Sequence, residues 1–517
     1  MKLTYIGHAG FLFETEQAIL IMDPWLSNKG AFDSAWFQLP SNHHLFEPLI
    51  EKIKNNKTYL YISHEHRDHF DSDFLQHIVP FQPELIISNF HNKYLYNGLK
   101  ALGFKNITQS DDETTIKRGP FTCTYYIDDR GINQDSAILV EAEGFSFLNL
   151  NDCKIFDRIA HIKEKHPNID CYAAQFSGAV WHPTCYELPK EKYQEVAKQK
   201  KLSKFNLILR SIETLQPKRY LPTAGPAVFL DPALLAINFE EENIFPQQFS
   251  IIEYLEPKIP NTQVDPIMPG DVFDTKTNEY TTLAETRLNK NNYQDYIKQY
   301  AKQYEEYFSS QKHEYTSAQQ ENLMERLYKE LTHKASKFKS QSTVHHTLYF
   351  TIDNLQNDWI EVDLNTQQCC RVSEPAKENY YLIRSPAWEI ERVLNKDIDW
   401  AQWALTFRCR LKRSPDEYET LINLFLISEA DELPHFTKIV DDFSNNDETI
   451  EIEANGKHYC IRRYCPHQGG DLKYGWAEGD LWVCPRHRWK YDLSNDGQCS
   501  NTKDSIHAKE IDKKSAD

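Results

Sequence analysis

No run of about 18 apolar residues occurs in the sequence, so no segment reads as crossing a bilayer. A basic surplus is also missing. The 58 Lys and Arg stand against 76 Asp and Glu, a formal charge of −18, which argues against nucleic-acid or anionic-membrane partners. The opening MKLTYIGHAGFLFETEQ meets a polar Gly-His pair at once and offers no apolar core for a secretion signal. The 11 cysteines, an odd number scattered over 517 residues, make no disulfide framework, and a reducing cytoplasm is the expected setting. Most of them, including Cys123, Cys171, Cys369 and Cys409, lie in apolar or β-like runs and read as small buried side chains. No P-loop or G-x-G-x-x-G fingerprint is present for a nucleotide.

What is present is core-forming material: 40% hydrophobic residues and 13% aromatics, in a chain long enough for three or four domains. Residues 1–240 alternate short β-rich runs (KLTYIG, AILIMD, TYLYIS, SAILVEA, FSFLNL) with helical patterns, the succession of a layered α/β domain. Residues 241–345 begin with the Pro-rich EPKIPNTQVDPIMPG and continue as two polar amphipathic helices, in NYQDYIKQYAKQYEEYF and QQENLMERLYKELTHKASKF. Residues 346–430 read as an α+β unit with paired strands HTLYFTIDN and WIEVDL and helices around WEIERVLN and EYETLINLFLI. Residues 431–517 are short-stranded and turn-rich, with a hairpin signal at Asn455-Gly456.

Two constellations carry chemistry. In TYLYISHEHRDHFD a β-rich run ends in His64, His66, Asp68 and His69, four potential metal ligands within six residues. Alternate positions of an extended loop aim His64 and His66 at one ion, while Asp68 and His69 can face a second position. A merely solvated loop does not account for that density. Near the C-terminus, Cys465-Pro-His467 and Cys484-Pro-Arg-His487 each offer one thiolate and one imidazole. That set suits a Rieske [2Fe-2S] cluster, with two Cys on one iron and two His on the other, or a Cys2His2 zinc site.

The H-x-H-x-D-H run resembles the signature of the metallo-β-lactamase fold, an αββα sandwich with metals at one edge. The resemblance covers about the first 240 residues. It implies that Asp23, ending ILIMD, is the family's structural aspartate and that Asp152, ending FLNLND, is the metal-bridging one. YIGHAGFLFE is similar to lactonase-like and phospholipase-like branches, with His8 near the site or structural. Where the family's fifth ligand falls, PKRYLPTAGPAVFLDP offers Thr223, Ala224 and Gly225 and no His. The third-motif His is also missing, and Asp128, Asp129 and Asp135 are the nearby candidates. The set is thus richer in carboxylate than a dizinc hydrolase: either one metal is lost or a harder metal is preferred, and iron fits as well as zinc.

The C-x-H…C-x-x-H order, the Gly469-Gly470 turn and WKYDL after His487 resemble Rieske domains. Gln468 and Arg486 fill the slots where respiratory members place a disulfide. Trp489 replaces their Ser, and Tyr491 remains a hydrogen-bond donor, which implies a low- to mid-potential one-electron carrier.

A hydrolase has no use for single electrons, so the two sites together favour iron and O2 chemistry. MDPWLSNKGAF followed by Trp36, YISHEHRDHF, DSAILVEAEGFSFLNLNDC, QFSGAVWHP, LQPKRYLPTAGPAVFLDP and WAQWALTFRCRLKRSPDEYETLINLFLI resemble the CMP-N-acetylneuraminate hydroxylase family of Rieske-linked iron monooxygenases. In that family the Rieske domain is N-terminal, whereas here it follows the rest. The resemblance implies a small-molecule substrate with O2, either a nucleotide-linked amino sugar such as CMP-sialic acid or another amine or amide metabolite. It also implies an electron donor of the ferredoxin, cytochrome b5 or reductase type. Cys465, His467, Cys484 and His487 are expected to hold the cluster. His64, His66, Asp68, His69 and Asp152 are expected to hold mono- or dinuclear non-haem iron, with Asp128 or Asp135 completing the shell. The alternatives are a metal-dependent hydrolase with an electron-transfer or redox-sensing Rieske domain, and a non-catalytic electron carrier. Residues 346–430 are similar to sterol-carrier-like domains and are expected to be structural or dimerising rather than lipid-binding, which leaves a homodimer open, and Arg410, Arg413 and Asp416 are expected to be salt-bridge partners rather than ligand contacts.

Overall fold

A computed structural model describes residues 1–129, 134–282, 287–311, 314–353, 355 and 357–512. The described chain forms two compact units, one from residues 1–129, 134–180 and 191–308 and the other from 181–190 and 309–512.

The first unit is a sandwich of two sheets. Its strands are β1 (Lys2–Gly7), β2 (Gly10–Glu14), β3 (Ile19–Met22), β4 (Thr58–Ile62), β5 (Glu84–Ser88), β6 (Ile107–Ser110), β7 (Thr115–Arg118) and β8 (Phe121–Asp128). They continue with β9 (Asp135–Ala142), β10 (Phe145–Asn149), β11 (Cys171–Gln175), β12 (Arg219–Thr223), β13 (Gln263–Val264), β14 (Val272–Asp274) and β15 (Glu279–Thr281). One sheet has the order β15-β14-β1-β2-β3-β4-β5-β6 and the other β13-β12-β11-β10-β9-β8-β7. Both sheets therefore draw strands from beyond residue 240.

Strand periodicity explains the layers. Successive side chains point to opposite faces, so Leu20, Tyr59, Tyr61 and Ile86 meet Ile138, Val140 and Phe147 between the sheets. Ile19, Ile21, Leu60 and Ile62 face outward under the helices Phe46–Asn55, Ser72–Ile78 and Tyr94–Leu102. On the other sheet Leu139, Leu148, Tyr172 and Tyr220 pack beneath helices Ile159–Lys165, Lys190–Leu215 and Gln248–Leu255. This is the αββα arrangement.

The Tyr-rich helix expected in NYQDYIKQYAKQYEEYF is two helices, Tyr293–Lys302 and Glu305–Ser310. The break lets Tyr300, Tyr304 and Phe308 all close on the ring of Phe37.

The second unit holds a five-stranded sheet, ordered Gln368–Val372, Trp359–Asp363, Thr347–Ile352, Tyr380–Ser385 and Arg410–Ser414. Helix Ser317–Lys337, opened by a capping box between Thr316 and Gln319, packs against its first two strands. Two small sheets follow. The first begins with the hairpin Thr449–Ala454 and Lys457–Arg462, turned through Asn455 and Gly456 at φ 53° and 75°, the double positive φ of a type I′ turn. The second runs Trp476–Glu478, Leu481–Val483, Lys490–Asp492 and Gln498–Cys499. Among the described residues no helix is long and apolar enough to cross a membrane.

Candidate metal centres

The first site lies where β3 and β4, a parallel pair, run out side by side. Beyond β4 the chain turns back on itself, with the backbone N–H groups of His69 and Phe70 donating to the His66 carbonyl at 3.0 and 2.7 Å. Two groups of three donors result, His8 with Asp68 and His69, and His64 with His66 and Asp152; within each group the donor atoms lie within 4.8 Å of one another. Asp152 Oδ1 joins them, 3.8 Å from His64 Nε2 and 3.5 Å from His69 Nε2. Those three atoms are buried and make no hydrogen bond, as expected of donors that await an ion.

Each of two imidazoles is aimed by a carboxylate behind it. His69 Nδ1 donates to Asp23 Oδ2 at 2.8 Å, and Asp23, fully buried, also accepts from Ser63 N and Ser63 Oγ at 2.8 and 2.7 Å. His64 Nδ1 lies 3.1 Å from Asp135 Oδ1. These contacts leave both Nε2 atoms as the free donors.

Four carboxylates, those of Asp23, Asp68, Asp135 and Asp152, thus crowd four imidazoles. With the imidazoles neutral the cluster carries a formal charge that two divalent ions would cancel, and an uncompensated buried excess is costly. Burial works to lower His64 and His69, yet the neighbouring carboxylates hold His64 well above its usual value and His69 at about 9, as a negative excess requires. Burial pushes Asp135 up to about 7, with Asp152 adding to the rise against the pull of His64. Burial works to raise Asp68 also, but His69 and His8 hold it near 2. Burial and the neighbouring His64 bring His66 down to about 3.

Of the third-motif candidates, Asp135 stands behind His64 and in neither donor group. Asp128, its partner across the β8–β9 ladder, and Asp129 also lie outside both groups. His8 is brought into the site. It sits at φ 50° in the tight β1–β2 turn, with Asp68 Oδ2 3.1 Å from its Nε2. In the segment Thr223–Gly225, where the family's fifth-ligand His would fall, Ala224 N donates to the His8 carbonyl at 2.9 Å. An imidazole from the first turn therefore stands next to the segment that lacks one. Beside His66 lies the ring of Phe32, itself backed by Trp36, from a loop in which Phe32, Asp33 and Ser34 hold φ of 50°, 55° and 60°. Three successive non-glycine residues in this region cost about 1–3 kcal/mol each and are typical of functional sites.

The second site is built from two loops closed in the same way. Cys465 N donates to Gly470 O and Gly469 N to Cys465 O, at 2.9 and 2.8 Å. In the other loop Cys484 N donates to Trp489 O and Arg488 N to Cys484 O, at 2.8 and 2.9 Å. Both thiols are fully buried, and no disulfide joins them. The His467 and His487 rings stand 4.7 Å apart, and Tyr491 Oη lies 2.9 Å from Cys465 Sγ. Burial pushes the Cys465 thiol up, the adjacent Cys484 adds to the rise and Tyr491 opposes it. A Cβ at Gly470 would fall 2.9 Å from Cys484 Sγ, so the absence of a side chain keeps the cradle open. Two thiols and two imidazoles around that space fit a [2Fe-2S] group.

Comparison with known proteins agrees on both domains. Residues 423–510 match the model of the Rieske [2Fe-2S] domain and residues 2–133 that of a beta-lactamase superfamily domain. A protein of Mycolicibacterium smegmatis, named as a Rieske 2Fe-2S iron-sulfur protein, is 26% identical over 530 residues, covering 97% of this chain and 98% of its own. A metal-dependent hydrolase of Paracoccus denitrificans is 35% identical over 69 residues, 13% of this chain and 24% of its own. Among solved structures, the diiron beta-hydroxylase CmlA of Streptomyces venezuelae aligns at 14% identity with a TM-score of 0.34, covering 53% of each chain. The chain thus carries a metallo-β-lactamase-fold domain and a C-terminal Rieske domain with its [2Fe-2S] cluster, and the latter implies a redox partner.

Proposed function

We propose that this protein is a Rieske-dependent non-haem iron monooxygenase that activates O2 at the metallo-β-lactamase-type site. The observation that carries the reading is the pairing, in one chain, of a one-electron cluster domain with a double donor group of four imidazoles and two carboxylates. Zinc takes no part in redox chemistry, whereas imidazole and carboxylate together suit iron. His8, Asp68 and His69 would hold one ion and His64, His66 and Asp152 the other. Iron bound there supplies the redox-active centre for O2.

The protein's own residues do the rest. Asp23 and Asp135 fix the tautomers of His69 and His64 so that each Nε2 stays a donor. Phe32, backed by Trp36, covers one side of His66. The QFSGAVWHP, RYLPTAGPAVFLDP and WAQWALTFRCRLKRSPDEYE segments support a relative of the CMP-N-acetylneuraminate hydroxylases. The substrate class is then an amine- or amide-bearing metabolite, including nucleotide-linked amino sugars, and the donor a ferredoxin, cytochrome b5 or reductase. Residues 346–430 serve as scaffold or dimer contact.

The test is O2 consumption by iron-loaded protein given a reducing system and candidate acylamino sugars. Consumption that needs reductant and vanishes in both Cys484→Ala and His64→Ala is the expected result. A second reading, a metal-dependent hydrolase with a redox-sensing Rieske domain, is favoured by the 69-residue match to the Paracoccus hydrolase. It predicts substrate turnover with no reductant and full activity in Cys484→Ala.

A further inference from the structure

We infer that Tyr418, from the segment preceding the Rieske fold, and Trp489 are positioning residues for the [2Fe-2S] cluster. Together they fix the plane of His467 and keep water from it, leaving His487 as the more open imidazole. This rests on the cluster alone and holds whether the other metal site serves an oxygenase or a hydrolase.

The rings form a box. Trp489 lies flat on His467, with centroids 3.8 Å apart and planes 9° apart. Tyr418 stands edge-on to both, 5.4 Å from His467 at 84° and 5.4 Å from Trp489 at 87°. His467 is consequently 6% exposed, whereas His487 is half-buried.

Tyr418 is itself held firmly. Its backbone N–H donates to the Asn501 carbonyl at 2.9 Å, which pins it to the Rieske fold. On either side of it, Tyr381 Oη donates to Glu417 O at 2.8 Å and accepts from Glu419 N at 2.9 Å. Arg413 Nη1 donates to the same hydroxyl at 3.0 Å, with the guanidinium 4.8 and 5.7 Å from the rings of Tyr186 and Tyr381. That is more anchoring than a surface tyrosine needs, and it fixes a ring against a cluster ligand.

The chemical consequence follows from charge. With two thiolates and two neutral imidazoles, one-electron reduction adds a negative charge to the cluster, and a dry surrounding disfavours that charge. Covering His467 therefore lowers the reduction potential, and uncovering it raises it.

The experiment uses the full chain with its cluster loaded, comparing Tyr418→Ala, Tyr418→Phe, Trp489→Phe and Trp489→Leu by potentiometry, by the EPR spectrum of the reduced state and by deuterium coupling in D2O. Tyr418→Ala is expected to shift the potential upward, change the g-value spread and increase deuterium coupling, while Tyr418→Phe, which keeps the ring, restores all three. Should Tyr418→Ala fail to hold the cluster, the Trp489 pair decides: a raised potential in the Leu but not the Phe variant supports the role. A loaded Tyr418→Ala or Trp489→Leu protein with wild-type potential, EPR and deuterium coupling overturns it, as does a Phe variant at residue 418 that behaves like Ala.

Discussion

Replacing Asp23 by Asn tests whether the carboxylate behind His69 prepares the metal site. The backbone at this position has φ 38°, a conformation that Asn accepts with little penalty, so the fold need not move. Asn keeps one oxygen for the Ser63 N–H, which donates to Asp23 Oδ1 at 2.8 Å, but puts an NH2 where Oδ2 accepts from His69 Nδ1 and Ser63 Oγ. Two donors then face each other at 2.8 Å, and His69 either rotates or changes tautomer, which places a proton on the Nε2 that should bind the ion. Losing such an orienting partner typically weakens metal binding about 10- to 100-fold, roughly 1.4–2.7 kcal/mol. The broken buried hydrogen bond adds a stability loss of about 1–3 kcal/mol. Competition against a chromophoric chelator, on protein whose cluster EPR signal is intact, reads the affinity. A folded Asp23→Asn protein that binds iron and zinc within twofold of wild type would refute the orienting role.

Three further outcomes are expected. Lys334 is fully buried, its Nζ 4.0 Å from the Trp400 ring centre and 5.0 Å from that of Phe425, and burial brings it down to about 7 against 10.5 for an ordinary lysine. The unfolded chain therefore holds the extra proton between those values, so stability rises with pH from about 7 to 10.5. Lys334→Met should flatten that rise and stabilise the protein at pH 7 by about 1–4 kcal/mol, read from denaturant melts across pH. Gly470→Ala would place a Cβ 2.9 Å from Cys484 Sγ, so cluster absorbance per chain should fall while the far-UV spectrum is kept. His8→Asn, which tolerates the φ of 50°, should lower the metal bound per chain by about one equivalent without touching the cluster, measured by elemental analysis.

Local patterning made much of this legible. The alternation in TYLYIS places Tyr59 and Tyr61 between the sheets and Leu60 and Ile62 under the helices, and Asn455-Gly456 marks its hairpin without further context. The crowding of His64, His66, Asp68 and His69 shows because one loop carries all four. His8 is less legible, since its part in the site depends on a turn 56 residues before His64 that meets the loop only on folding. Asp128 and Asp135 look alike in sequence because they are ladder partners, and only the reach to His64 separates them. Strands such as Gln263–Val264 and Val272–Asp274 are too short to show a period, so the sheets run further along the chain than the pattern indicates. Tyr418 lies in the RSPDEYE segment, where nothing in the local pattern ties it to the cluster; its position against His467 follows from packing.

Iron per chain in anaerobically purified protein tests most directly whether a redox metal centre accompanies the cluster. The expected count is the two irons of the cluster plus about two more. Cys484→Ala should keep only the second pair, and His64→Ala should lose iron from that pair while the rhombic EPR signal of the reduced cluster persists. Wild-type protein that holds the cluster's iron alone, with zinc filling the site around His64 and Asp152, would contradict the oxygenase reading.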